Sequence, residues 1–190
     1  MRKLLYLTAL AFLAIQGVQA QNVIQGTSSM GSGGDFRFGA KAAFMLTDLL
    51  GDGIVDNTPL PGFQAGGAME IPITDEIYFA PEALFSLQGA GGIADNLRLF
   101  YLNFPLMGKY HITEEFAVEF GPQLGILLGD NVDDFGLETN ALDIGIGAGG
   151  GYRLNDNIYF QLRVNTGFIK VLENVKAYNA ALQVGAIYYF

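Results

Sequence analysis

Nine charged residues in this chain fall inside short alternating segments, where side-chain chemistry would be held in place: Arg37, Lys41, Glu70, Glu82, Lys109, Glu119, Asp143, Arg153 and Arg163. Five are cationic and four anionic, so the set nearly neutralises itself, although the whole chain carries a formal charge of −9. Such balance matters only where charges leave water, because an unpaired buried charge is costly. Glu82 and Glu119 together have the makings of an acid–base carboxylate pair. With Arg and Lys on the same face, they read instead as ion-pair partners. The single histidine, His111, lies in an expected tight turn with no Ser or Cys partner in view, and reads as a solvated turn residue.

Two acidic stretches offer oxygen ligands: Asp48, Asp52 and Asp56, and then Asp130, Asp133, Asp134 and Glu138. Neither has the spacing of a calcium loop, so solvated loops are expected. Gly147-Ala-Gly149-Gly-Gly151 is glycine-rich but sits mid-strand with no helix after it, which excludes a phosphate-binding loop. With no cysteine, neither a disulfide scaffold nor a thiolate metal site is available. No catalytic, cofactor-binding or metal site is expected. The acidic balance also argues against nucleic acid, which needs a basic patch.

The elements that position the nine charges have a period of two. One face of each segment is apolar and the other holds the charges and most of the glycines. The expected strands are 35–46, 63–71, 77–88, 97–110, 116–128, 141–154, 158–169 and 177–190. Three connections are short, at 72–76, 111–115 and 155–157. The others are longer, 47–62, 89–96, 129–140 and 170–176, and fall on the opposite rim. Pro81 forfeits a ladder hydrogen bond, which predicts a bulge there. The reading is all-β: an eight-stranded antiparallel up-and-down transmembrane β-barrel.

Residues 1–20 have a basic start, an apolar run from Leu4 to Ile15 and a small-residue site at Ala20, the pattern of a secretory signal peptide cleaved after Ala20. Removing Arg2 and Lys3 deepens the formal charge from −9 to −11. Residues 21–34, rich in Gly and Ser, read as a flexible periplasmic leader, and 35–190 as the barrel domain. Hydrophobic residues make up 51% of the chain, yet no later apolar run is long enough for a membrane helix. Strands can cross lipid only as a closed barrel, in which no edge is left unpaired.

The apolar face carries almost no charge across all eight segments, Arg98 being the exception. That favours an outward apolar face and a polar interior. The rival is a soluble lipocalin-like barrel with the faces reversed. Aromatics fall near the strand ends on the apolar face, as interface girdles do. Phe36, Phe79, Tyr110, Phe116, Tyr152, Phe160, Tyr188 and Phe190 lie at the short-turn rim; Phe44, Phe63, Phe85, Phe100, Phe168 and Tyr178 lie at the other. Eight strands leave a lumen just filled by side chains. The expectation is a non-enzymatic protein with a plugged lumen and acidic outer loops that make its contacts. A narrow pore is one alternative and a lipid-modifying enzyme a weaker one.

Several short motifs resemble the PorT-like outer-membrane β-barrel domain family of Gram-negative bacteria, small barrels of the OmpA/OmpX-like kind. They are Gly39-Ala-Lys41-Ala, Glu70-Ile-Pro72-Ile-Thr-Asp75, Pro81-Glu82-Ala-Leu-Phe85-Ser, Tyr101-Leu-Asn103-Phe-Pro105-Leu, Gly121-Pro122-Gln123-Leu-Gly125, and Gly147-Ala-Gly149 before Tyr152. The resemblance spans Phe36 to Phe190 and departs at Asn103, where the family often has an acidic residue. It implies an outer-membrane location without one shared activity, some members being tied to protein secretion. The ending at Tyr188 and Phe190 resembles the C-terminal signal read by barrel-assembly machinery. The partners expected are therefore that machinery and outer-membrane lipid with lipopolysaccharide. Any protein partner at the outer loops is unidentified.

Overall fold

The computed structural model describes residues 36–51, 58–91, 96–131, 140–171 and 176–190. The expected signal peptide and leader lie outside them, as do Asp52, Asp56, Asp133, Asp134 and Glu138 of the acidic stretches.

Eight strands follow in chain order: β1 (Arg37–Leu50), β2 (Thr58–Pro72), β3 (Ile77–Gly91), β4 (Asn96–His111), β5 (Phe116–Asp130), β6 (Leu142–Arg153), β7 (Ile158–Lys170) and β8 (Tyr178–Tyr189). Each pairs antiparallel with its neighbours in sequence, and β1 pairs with β8 to close the barrel. The closing ladder is unbroken from Gly39 opposite Tyr189 to Leu50 opposite Tyr178. Phe190 extends it, its backbone N–H donating to the Phe38 carbonyl at 2.8 Å.

The three short turns share one construction. Residues 73–76, 112–115 and 154–157 each follow the order apolar residue, Thr or Asn, acid, and a fourth polar residue. The first backbone N–H donates to the carbonyl of the residue after the turn: Ile73 to Ile77, Ile112 to Phe116, and Leu154 to Ile158. The second residue's side-chain oxygen then accepts two backbone N–H groups. Thr74 takes those of Glu76 and Ile77, Thr113 those of Glu115 and Phe116, and Asn155 those of Asn157 and Ile158. Thr and Asn suit that position because a short side-chain acceptor can reproduce a turn's own hydrogen bond.

The faces divide with a period of two. Phe44 is 81% exposed, Val184 59% and Phe168 57%, while Lys41, Glu82 and Arg163 on the other face are buried. The apolar face is therefore outside and the charged face lines the lumen, which reverses the lipocalin-like arrangement. Phe116 and Tyr152 pair across β5 and β6 with ring centroids 5.0 Å apart, and Tyr188 and Phe190 meet at 5.8 Å. Aromatics are not confined to the rims, however: Phe38 and Phe120 are exposed two residues or more inside them.

Other expectations are corrected. β1 continues to Leu50 and β2 begins at Thr58, so much of the loop expected at 47–62 is strand. Pro59 and Pro61 fall inside that expected loop. They lie instead in a strand whose register against β3 shifts between Pro59 and Phe63. No bulge forms at Pro81, and the β3 register keeps its phase on both sides of it. A missing N–H removes a bond but demands no extra residue. Asp48, expected in a loop, lies within β1, and Asp130, likewise expected in a loop, ends β5. β3 likewise runs on to Gly91, into the loop expected at 89–96.

Candidate functional site in the barrel lumen

All nine charged residues lie on the lumen face, and the structure gathers eight of them into two clusters. At the short-turn end, Glu70 is fully buried and faces three cations. Its Oε1 accepts from Lys109 Nζ at 2.8 Å, and its Oε2 from Arg37 Nη1 at 3.1 Å and Arg153 Nη2 at 3.4 Å. Two tyrosines back this cluster. Lys109 Nζ sits 4.0 Å from the Tyr159 ring centre, and Arg37 Cζ lies 4.4 Å from that of Tyr189. Both contacts set a cation over the negative face of a ring.

Deeper in, two carboxylates and two cations alternate. Lys41 Nζ donates to Glu82 Oε2 at 2.8 Å. The Arg163 guanidinium holds both Glu82 oxygens, at 3.0 and 2.8 Å, and its Nε donates to Glu119 Oε1 at 2.6 Å. Gln161 Nε2 adds a bond to Glu119 Oε2 at 3.0 Å. The bidentate fork matches the carboxylate plane, as guanidinium does best. Space for these long side chains comes from β6. Gly149 stands opposite Arg163 and Gly147 opposite Asn165, and a Cβ on Gly149 would come within 2.9 Å of the Arg163 Cα. The glycine-lined face of β6 is thus where β7 packs its side chains.

Asp143 stands apart from both clusters, and its Oδ2 accepts from Asn179 Nδ2 at 2.7 Å. Around it, neutral amides and hydroxyls fill the lumen. Gln64 donates to Gln183, Asn103 to Ser86 Oγ at 2.7 Å, and Thr47 Oγ1 to the Gly89 carbonyl at 2.8 Å. Asn103, where a family acid was absent, is therefore satisfied without an ion pair.

Histidine 111 is not the solvated turn residue expected. It is the last residue of β4, buried, with its ring 5.0 Å from Tyr78, and Nε2 lies 3.9 Å from Glu70 Oε1 and 3.4 Å from Arg153 Nη2. Its turn starts one residue later than expected, which puts His111 on the inward phase. Neither Ser nor Cys is among these contacts. The described residues contain no group of three His, Cys, Asp or Glu able to hold a metal.

The lumen also has an apolar share, larger than the charged residues alone suggest. Leu49, Ala90, Leu99, Tyr101, Val171 and Ala177 cluster inside. Ala68, Ala117, Tyr159, Ile187 and Tyr189 form a second cluster. Leu84 and Met107 are fully buried as well. Leu84 and Met107 share the phase of Glu82 and Lys109, so period two alone places them inside.

Fold and lumen together define a small transmembrane β-barrel with a lipid-facing apolar wall and an interior occupied by side chains. The model of the outer membrane protein beta-barrel domain family matches residues 19–173, and the chain belongs to that family. It is an outer-membrane β-barrel protein. The fold is similar to that of Neisserial surface protein A, at 14% identity and a TM-score of 0.54, over 84% of this chain and 100% of that one. It is also similar to Ail, the attachment invasion locus protein of Yersinia pestis, at 12% identity and 0.53, over 83% of this chain and 100% of that one. No curated protein matches the sequence.

The clusters differ in what a substitution should do. Glu82→Ala leaves Lys41 and Arg163 buried without their shared carboxylate, and should cost about 3–5 kcal/mol in equilibrium unfolding. Arg37→Ala removes a partly solvated cation from a carboxylate that keeps two others, and should cost no more than about 1 kcal/mol. Urea unfolding in detergent micelles measures both. Equal costs would contradict the description of the inner cluster as the buried one.

Proposed function

We propose that this protein is a non-enzymatic outer-membrane scaffold whose lumen is a plug and whose outer loops make its functional contacts. The observation that carries this reading is the side-chain filling of the lumen. Arg163, Tyr101, Tyr159, Tyr189 and Lys109 are among the largest fully buried side chains, and they project inward from β4, β7 and β8. The pocket of about 580 Å³ at the short-turn rim, lined by His111, Arg153 and the turns, ends against the Glu70 cluster. Loops on a rigid scaffold are the usual carriers of recognition. Within the family, the six short motifs support a place in the PorT-like branch. A secretory leader cleaved after Ala20, a periplasmic segment over 21–34, and contact with outer-membrane lipid and lipopolysaccharide belong to the same reading.

Planar-bilayer recording tests the plug. Purified barrel should give no discrete conductance steps, whereas Glu82→Ala with Arg163→Ala should open measurable ones. Steps from the unaltered protein would favour a narrow pore instead.

The assembly role assigned to Tyr188 and Phe190 separates from their part in closure. Phe190→Ala keeps the backbone N–H that bonds to Phe38, so barrel closure should survive and refolding in detergent should match the unaltered protein. Insertion in cells should fall, measured as loss of heat-modifiable protein from the outer-membrane fraction. Unchanged insertion would remove the signal role and leave closure alone.

A further inference from the structure

Three of the four lumen carboxylates hold a cation, and the fourth does not. Asp143 is the second residue of β6 and faces the lumen between β5 and β7. Its Oδ2 accepts from Asn179, but its Oδ1 is shut off from solvent with no hydrogen-bond partner. Among the described residues, no Lys, Arg or His lies within ion-pair distance of it. The five lumen cations all belong to the Glu70 and Glu82–Glu119 clusters. Asn165, more than nine-tenths buried, likewise leaves its Oδ1 without a partner.

Both residues line one cavity of about 10 Å³, together with Gln64, Gln88, Asn103 and Asn179. That is space for about one water-sized occupant. The wall is built to leave it. A Cβ at Gly167 would stand 2.6 Å from Asp143 Oδ1, and one at Gly125 2.8 Å from Asn103 Oδ1. A water would satisfy the free oxygens but bring no countercharge to the half-buried carboxylate, whose Oδ1 is out of solvent. Hard cations take oxygen ligands of this kind, and divalent ions usually recruit more than one carboxylate. A single carboxylate among neutral amides suits a monovalent ion.

We propose that the lumen binds one small monovalent cation of sodium's size, held by Asp143 Oδ1 and Asn165 Oδ1. This ion supplies the countercharge that neither ionic cluster provides, and it ties β6 to β7 where the ion pairs do not reach.

The test uses the full barrel folded in detergent micelles, with sodium chloride compared against N-methylglucamine chloride at equal ionic strength. Sodium should shift the urea-unfolding equilibrium toward the folded state in a saturable way, by about tenfold at ten times its dissociation constant. N-methylglucamine, too large for the cavity, should not. Asp143→Asn, of the same shape, should abolish the sodium-specific shift, and Asn165→Leu should weaken it. Sodium NMR on the folded, unaltered barrel gives a readout that needs no variant to fold: the line should broaden with protein and sharpen again when excess lithium displaces the ion. Identical stability in the two salts would overturn the proposal. So would a sodium shift retained by Asp143→Asn, or a sodium line that the barrel does not broaden.

Discussion

Lipid offers no hydrogen bonds to a backbone, and that one constraint orders the rest of this structure. An open sheet in a bilayer would leave two rows of amide groups unsatisfied, each costing several kcal/mol. The ladder between β1 and β8 removes both rows at once, and the Phe190 N–H adds a bond at its end. Closure at eight strands then fixes the interior width, which is about that of packed side chains. Everything inside the barrel answers to that width. Long residues can enter only where their neighbours are small, which is why β6 presents Gly147 and Gly149 to Asn165 and Arg163 of β7.

The charges follow from the inversion of the faces. With aliphatic and aromatic side chains turned outward, the polar residues have only the lumen to occupy, and each must find partners there. Glu70 does so with three cations at the short-turn mouth, where Arg37 and Arg153 keep some contact with water. The Lys41–Glu82–Arg163–Glu119 chain is dry and depends on geometry, its bidentate fork above all. Such networks are weak grounds for claiming net stability, but removing one member leaves another charge stranded. They therefore act as a lock on register: sliding a strand by one residue would turn its charges into lipid.

Much of this was legible in the sequence, for a physical reason. A strand between lipid and lumen alternates at every residue, so Arg37, Lys41, Glu82 and Arg163 declared their face without any alignment. The partners did not declare themselves. Lys41 with Glu82 and Arg163 with Glu82 are 41 and 81 residues apart, and only the barrel register brings them together. Strand ends were obscured where proline mimics a breaker, as at Pro59 and Pro61. The Thr or Asn device of the three turns went unrecognised, which put the His111 turn one residue early and left the histidine in solvent. Period two also says which side a residue faces without saying what that side contains. Leu99 and Met107 were thus hidden among the lumen polar residues.

The central claim is that adjacent residues of one strand face lipid and lumen in turn. The chain has no cysteine, so single cysteines can carry a spin label without background. Labels at Leu182, Val184 and Tyr188 should be open to oxygen dissolved in the bilayer. Labels at Ala181, Gln183 and Ile187 should be shielded from it. Electron paramagnetic resonance relaxation along β8, in the barrel reconstituted in lipid vesicles, measures this directly. The account predicts oxygen accessibility alternating with a period of two and highest at the even-numbered positions. Uniform accessibility, or maxima at 181, 183 and 187, would contradict it.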